Sequence, residues 1–195
     1  MDNILEIVGV AIGLIYLWLE YKASIYLWIA SIVMPAIYLF VYYDAGLYAD
    51  TALNIYYLVI AIYGWIAWKY NISFSSKKTQ KKELKISHVA PRQWISLILL
   101  YAVSQIVTST LLINFTDSDV PWLNGLTTAL SIVGMWMLAR KYIEQWIVWL
   151  VVDILSAGLY IYKGLYPTAA LYLLYTVIAV FGYMKWKKLM TKQND

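Results

Sequence analysis

Residues 145–163 read QWIVWLVVDILSAGLYIYK, an apolar run that contains one charge, Asp153, before it ends at Lys163. At 1.5 Å per residue, a helix of this length extends about 28 Å, close to the roughly 30 Å hydrocarbon core of a bilayer. Asp153 lies about 12 Å along that helix, near the bilayer midplane. The stretch therefore predicts a membrane-spanning helix with a carboxylate near its centre.

The rest of the chain has the same apolar character. Of its 195 residues, 63% are hydrophobic and 13% are charged, against about 45–50% apolar and 25% charged residues in soluble domains. Stretches long enough to cross a bilayer are found at 3–20, 25–43, 50–69, 93–115, 122–140, 145–163 and 168–186. The sequence predicts an all-α integral membrane protein with seven transmembrane helices.

The basic residues predict how these helices are oriented. Fourteen of the 15 Lys and Arg residues fall on one side of the predicted spans, and only Lys163 falls on the other. The longest loop, 70–92, holds six of the fourteen: Lys77, Lys78, Lys81, Lys82, Lys85 and Arg92. Cytoplasmic loops collect Lys and Arg, so we expect the N-terminus outside and the C-terminus in the cytoplasm. This placement explains the basic pI without a nucleic-acid partner.

An internal repeat appears when the chain is shifted by 118 residues. Between positions 46 and 69, 12 of 24 residues are identical to their shifted partners, and Trp28 pairs with Trp146. The shift carries helices 1–3 onto helices 5–7 and leaves helix 4 unpaired, so both copies have one orientation in the membrane. This predicts the 3+1+3 parallel repeat of SWEET-like transporters, with alternating access between the halves. The predicted parts are 1–69, a basic loop at 70–92, a linking helix at 93–115, and 116–195.

Asp153 is the leading candidate for chemistry within the membrane. A charged side chain at mid-bilayer costs at least about 2.5–3.5 kcal/mol on insertion scales, so it normally faces the bundle interior and has a function. Trp146 and Trp149 precede Asp153 by seven and four residues, which places all three on one helix face. Two indoles beside a carboxylate predict a site for a flat organic cation. A membrane-interface role for Trp146 and a purely structural role for Asp153 remain alternatives.

Further candidate binding residues come from helices 2, 3 and 7. Asn54 and Tyr57 lie on one face of helix 3, and their repeat partners in helix 7 are Tyr172 and Tyr175. Asn54, Tyr57, Tyr175 and Tyr38 of helix 2 are expected to contribute to the binding pocket. A membrane-interface role or a helix-packing role is the alternative for each of these tyrosines.

Small residues predict close helix contacts. The pairs Ala61/Gly64 and Ala179/Gly182 have the three-residue spacing that lets membrane helices approach each other closely. We expect these positions to pack against neighbouring helices rather than to bind a ligand.

Catalytic chemistry is not indicated. There is no Cys, and His88 is the only His, which excludes thiolate and multi-histidine metal sites. The sequence contains no Gly-rich phosphate loop and no nucleophile–base pair. We therefore expect no catalytic residue, metal or cofactor, and no enzyme activity, with His88 solvated in the basic loop.

Two strings resemble a known family: YGWIAW at Tyr63–Trp68 and RKYIEQWIVW at Arg140–Trp149. Together they are similar to the Pnu family of bacterial vitamin transporters, and most of all to its thiamine transporters. The resemblance covers nearly the whole chain. It implies a SWEET-like 3+1+3 fold in the bacterial inner membrane, a homotrimer, and facilitated diffusion of an unphosphorylated vitamin. A cytoplasmic kinase would then trap the vitamin by phosphorylation.

Departures from the family pattern suggest the substrate. Nicotinamide riboside carriers bear carboxamide side chains at several pocket positions, which correspond here to Met34, Asn54, Ala61, Asp153 and Phe181. Because most carboxamides are gone and one is replaced by an acid, the resemblance favours cationic thiamine, then nicotinamide riboside, then neutral riboflavin. A small-molecule sensor and a proton-coupled carrier using Asp153 remain open alternatives.

Overall fold

Seven helices account for most of the residues that the structure describes. The computed structural model describes residues 2–44, 48–70, 84–117 and 119–193. Within these ranges lie α1 (Asp2–Tyr21), α2 (Leu27–Asp44), α3 (Tyr48–Tyr70), α4 (Pro91–Phe115), α5 (Pro121–Ala139), α6 (Gln145–Tyr162) and α7 (Tyr166–Lys192). Each predicted span coincides with one helix. Positions 46 and 47 of the predicted repeat, and residues 71–83 of the predicted basic loop, lie outside the described residues.

The lengths and compositions of the described helices fit a membrane setting. Five are long and apolar enough to cross a bilayer, namely Thr51–Tyr70, Pro91–Phe115, Pro121–Ala139, Gln145–Tyr162 and Tyr166–Lys192. The apolar stretches Ile12–Tyr21 and Leu27–Phe40 in α1 and α2 are shorter within the residues searched. The prediction of an all-helical, multi-span protein is confirmed to this extent.

The chain divides into two compact units, Met1–Lys85 (unit 1) and Ile86–Asp195 (unit 2). In unit 1, α2 packs against both α1 and α3; in unit 2, α4, α5, α6 and α7 pack in sequence. Polar side chains join α4 to α5: Gln105 Nε2 donates a hydrogen bond to the Trp122 carbonyl (3.2 Å), and Thr108 Oγ1 donates one to the Gly125 carbonyl (3.3 Å). The predicted linking helix is therefore packed into the second unit.

The turns after α1 and α5 have the same geometry, 118 residues apart. Ala23 and Lys141 both adopt left-handed backbone conformations, with φ of 51° and 58°. In the first turn, the Ala23 and Ser24 amides donate hydrogen bonds back into the last turn of α1. The Lys141 and Tyr142 amides do the same at the end of α5. This is a common way to end a helix, and its recurrence supports the sequence repeat.

Helix packing also recurs with the same offset. In unit 1, the Trp28 ring lies directly over Gly64 and meets the Trp68 ring edge-on, with centroids 5.5 Å apart. The shifted positions in unit 2 hold Trp146, Gly182 and Trp186, with the Trp146 and Trp186 centroids 5.8 Å apart. We call these two groups the Trp28 cluster and the Trp146 cluster. The predicted close packing at Gly64 and Gly182 is confirmed, and its partner in each case is a buried tryptophan.

Candidate functional site

A line of polar and aromatic side chains runs along one face of α6. Its members recur every three or four residues, as the period of a helix requires, and are Gln145, Trp149, Asp153, Ser156 and Tyr160. Gln145, Asp153 and Ser156 are buried, with exposed fractions of 0%, 6% and 6%. The line extends about 22 Å along the helix. We call it the α6 stripe.

Aromatic rings from α7 surround the middle of the α6 stripe. The Asp153 carboxylate is close enough to the Tyr172 and Tyr175 hydroxyls to interact with them electrostatically. Tyr172 stacks on Tyr160 with centroids 5.2 Å apart and meets Tyr175 edge-on at 5.7 Å. The Tyr160 and Tyr172 hydroxyls also share a hydrogen bond. The structure thus brings together two sequence candidates, Asp153 and Tyr175, and adds Tyr160 and Tyr172.

Trp149 lies on the α6 stripe between Asp153 and Gln145, one helical turn from each. Its ring packs over Gly134 of α5, where an added Cβ would lie 3.2 Å from the indole. The indole Nε1 is buried and has no hydrogen-bond partner among the described residues. In unit 2 a small residue of α5, Gly134, thus faces a large residue of α6. In unit 1 the order is reversed: the positions equivalent to Gly134 and Trp149 hold Tyr16 and Ser31, whose side chains hydrogen-bond to each other. The large side chain thus belongs to α6 in unit 2 and to α1 in unit 1.

Trp146 has a well-defined packing role. It is 2% exposed and is held in the Trp146 cluster by Gly182 and Trp186. Because its repeat partner Trp28 has the same contacts in unit 1, this packing belongs to the repeat itself. Contact between Trp146 and a substrate stays a prediction.

The remaining sequence candidates lie in unit 1. Tyr38 on α2 is 41% exposed, and Asn54 on α3 is half-buried. Tyr57 is also half-buried, with its ring 5.6 Å from that of Tyr56. Their roles in binding stay predictions, as do those of Trp149, Asp153 and Tyr175.

Sequence reasoning missed a buried acid in unit 1. Glu20, in the last turn of α1, is 2% exposed, and its side chain hydrogen-bonds with the Tyr16 hydroxyl. Position 20 ends an apolar span, where an acid normally reaches water, so the hydropathy pattern gave no sign of its burial. The sequence signal that pointed to it was Tyr16, a polar residue on the same face of α1 one helical turn earlier.

The family-like string at Arg140–Trp149 covers the turn between α5 and α6 and the first five residues of α6. Glu144 accepts a hydrogen bond from the Val89 backbone amide (3.2 Å) and contacts His88 Nδ1 (2.6 Å). The Tyr142 hydroxyl donates to Gln93 Oε1 (2.7 Å). These contacts join the segment before α4, and the first turn of α4, to the α5–α6 turn. His88 is exposed, as expected of a loop residue, but it is paired with Glu144 rather than only solvated.

A metal site is not indicated within the described ranges, since no three His, Asp or Glu side chains there are grouped as ligands. The chemistry that the α6 stripe offers is recognition: a carboxylate, hydroxyls, an amide and aromatic faces in a buried setting. Such a surface can bind a flat molecule that carries positive charge and hydrogen-bond donors.

Comparisons with known proteins agree with a role in transport. The family model described as nicotinamide mononucleotide transporter matches residues 3–188. The nicotinamide riboside transporter PnuC of Neisseria mucosa is 26% identical, over 99% of this chain and 75% of that protein. The riboflavin/roseoflavin transporter RibM of Streptomyces davaonensis is 25% identical, over 93% of this chain and 83% of that protein.

A solved structure extends the likeness to the fold. The crystal structure of the vitamin B3 transporter PnuC aligns with a TM-score of 0.66 and 25% identity, over 93% of this chain and 79% of that one. These matches give no support to a particular likeness to thiamine transporters. Because the family model covers almost the whole chain, the protein belongs to the nicotinamide mononucleotide transporter family, the Pnu family of membrane vitamin transporters.

Proposed function

We propose that the protein carries an unphosphorylated vitamin of the nicotinamide riboside type across the bacterial inner membrane. The observation that supports this is the α6 stripe, in which buried Asp153 lies among the rings of Tyr160, Tyr172 and Tyr175, one turn from Trp149. A pyridinium ring can stack on the indole of Trp149 by cation–π contact. The ribose hydroxyls can donate hydrogen bonds to the carboxylate.

The order of substrates differs from the one suggested by the sequence. Proteins named as nicotinamide riboside transporters are among the relatives, which favours that vitamin over thiamine. Thiamine is the second candidate because Asp153 stands where a carboxamide was expected, and an acid suits its cationic thiazolium. Riboflavin is third: a relative is named as its transporter, but a neutral ligand would leave the buried carboxylate without a counter-charge.

The mode of transport is also part of the proposal. Recurrence of the turns and tryptophan clusters in both units supports duplicated halves in a 3+1+3 arrangement with alternating access. The carrier works by facilitated diffusion, and phosphorylation of the vitamin in the cytoplasm traps it inside the cell. The N-terminus is external, the C-terminus is cytoplasmic, and the protein assembles as a homotrimer.

Calorimetric titration of the purified protein tests the choice of substrate. Nicotinamide riboside, thiamine, riboflavin and nicotinamide mononucleotide are titrated separately into the same preparation. We expect nicotinamide riboside to bind tightest and thiamine next. The mononucleotide should bind more weakly than the riboside, because its phosphate would approach Asp153 and like charges repel in a site of low dielectric.

The result that would overturn the assignment is equal or tighter binding of riboflavin or the mononucleotide. Tightest binding of thiamine would instead assign the protein to the second candidate. Dependence of uptake on a proton gradient would favour the proton-coupled carrier over facilitated diffusion.

A further inference from the structure

Gln145, at the first position of α6, is buried at a cost that its surroundings do not offset. Its exposed fraction is 0%, and neither Oε1 nor Nε2 has a hydrogen-bond partner among the described residues. A buried amide without partners is unfavourable, because it gives up its hydrogen bonds to water and receives none in return. A residue of this kind calls for an explanation beyond packing.

The repeat shows that packing alone does not require an amide at this place. The equivalent residue of unit 1 is Leu27, which is also 0% exposed and likewise precedes the tryptophan of its cluster. An apolar side chain therefore fits the same local structure. The amide of Gln145 is a difference between the two units, and it lies in the unit that also holds Asp153.

The position of Gln145 on the α6 stripe indicates what could satisfy it. Gln145, Trp149 and Asp153 follow one another at four-residue spacing, so each is about 6 Å from the next along the helix axis. A pyridinium ring stacked beside Trp149 would direct its two substituents to the neighbouring positions. With the ribose at Asp153, the carboxamide would point toward Gln145.

We propose that Gln145 selects the substrate by pairing its side-chain amide with a primary carboxamide of the ligand. Each of these groups carries an N–H donor and a carbonyl acceptor, so two hydrogen bonds can form side by side. The inference rests on the proposed function and adds the group that recognises the vitamin's carboxamide. An analogue with a carboxylate in that place would lose the donor and leave the Gln145 carbonyl unpaired in a buried site, which disfavours its binding.

The test compares nicotinamide riboside with nicotinic acid riboside, which differ only in that group. Affinities are measured by calorimetry on the full-length purified protein, together with the melting temperature of the ligand-free protein. The variant is Gln145→Leu, which gives unit 2 the residue that unit 1 already has. Gln105→Leu is the matched control, because Gln105 is another amide of unit 2 with a buried Oε1, outside the α6 stripe.

We expect Gln145→Leu to weaken nicotinamide riboside binding about tenfold, the worth of one to two neutral hydrogen bonds. Nicotinic acid riboside should change much less, so that the preference for the carboxamide falls. The melting temperature should hold or rise, because an unpaired buried amide has been removed. Gln105→Leu should leave the ratio of the two affinities unchanged.

An unchanged ratio of the two affinities in Gln145→Leu would overturn the inference. If both affinities fell equally and the melting temperature also fell, Gln145 would be a structural amide. Failure of the unaltered protein to bind either riboside would instead contradict the proposed function, and the pairing with it. The two failures are therefore distinguishable.

Discussion

Gly182→Ala should destabilise the protein through the Trp146 cluster. A Cβ at Gly182 would lie 2.6 Å from atoms of the Trp146 ring, and that ring is a buried, rigid side chain. Overpacking of this kind costs about 1–3 kcal/mol. Alanine regains at most about 1 kcal/mol through its higher helix propensity. Because a 2.6 Å approach to a ring is far shorter than normal contact, the cost lies in the upper part of that range, about 2–3 kcal/mol, and the net loss is about 1–2 kcal/mol.

The assay is thermal unfolding of the purified protein in one detergent. For a chain of this length, a net loss of 1–2 kcal/mol lowers the melting temperature by about 2–8 °C. Gly158→Ala is the matched control, because Gly158 also lies in a membrane helix but a Cβ there would meet nothing within 4 Å. We expect this control to melt at or above the temperature of the unaltered protein.

Unit 1 provides a second, independent copy of the experiment. Gly64→Ala places a Cβ against the Trp28 ring and should lower the melting temperature as Gly182→Ala does. If Gly182→Ala melts as high as Gly158→Ala, the tryptophan does not fill the space above the glycine and the reasoning is refuted. If only one of the two clusters responds, the packing is not a shared property of the repeat.

Three further predictions follow from the site and the orientation. Asp153→Asn should weaken binding of nicotinamide riboside by roughly ten- to 150-fold, the worth of one charge-assisted contact, while the melting temperature of the empty protein holds or rises; an unchanged affinity would give Asp153 a structural role. Glu144→Ala should lower stability by about 1–2 kcal/mol because the Val89 amide loses its acceptor, whereas Glu144→Gln keeps an acceptor and should lose less; equal melting of the two variants would contradict this. A cysteine placed at position 80 should resist an impermeant thiol reagent in right-side-out vesicles, in a chain with no other Cys, and its labelling would reverse the proposed orientation.

The helices could be predicted from the sequence because lipid imposes a minimum length on every apolar run. The largest error is at the end of α7, which continues to Lys192 although the predicted span ends at 186. Hydropathy reports where the chain leaves the membrane, and a helix rich in Lys can continue beyond that point. The repeat was visible in the sequence because the paired Trp and Gly residues make the same packing contact in both units, which requires the same residue types.

The candidate site was only partly accessible to sequence reasoning. Asp153 stands out because a carboxylate is rare at mid-span. Trp146 and Trp149 have the same spacing from Asp153 whether they bind a ligand or pack, and the packing of Trp146 against Gly182 becomes visible only in the folded structure. Gln145 lies at a helix start, where an amide normally meets water, so its burial could not be seen in the sequence.

Uptake of labelled nicotinamide riboside into liposomes that contain the purified protein tests the central claim most directly. The proposed carrier equilibrates its substrate and does no work on it. The label should therefore enter faster than into protein-free liposomes and stop when the internal and external concentrations are equal, with or without a proton gradient. Uptake no faster than into protein-free liposomes would contradict the claim that this chain carries that vitamin.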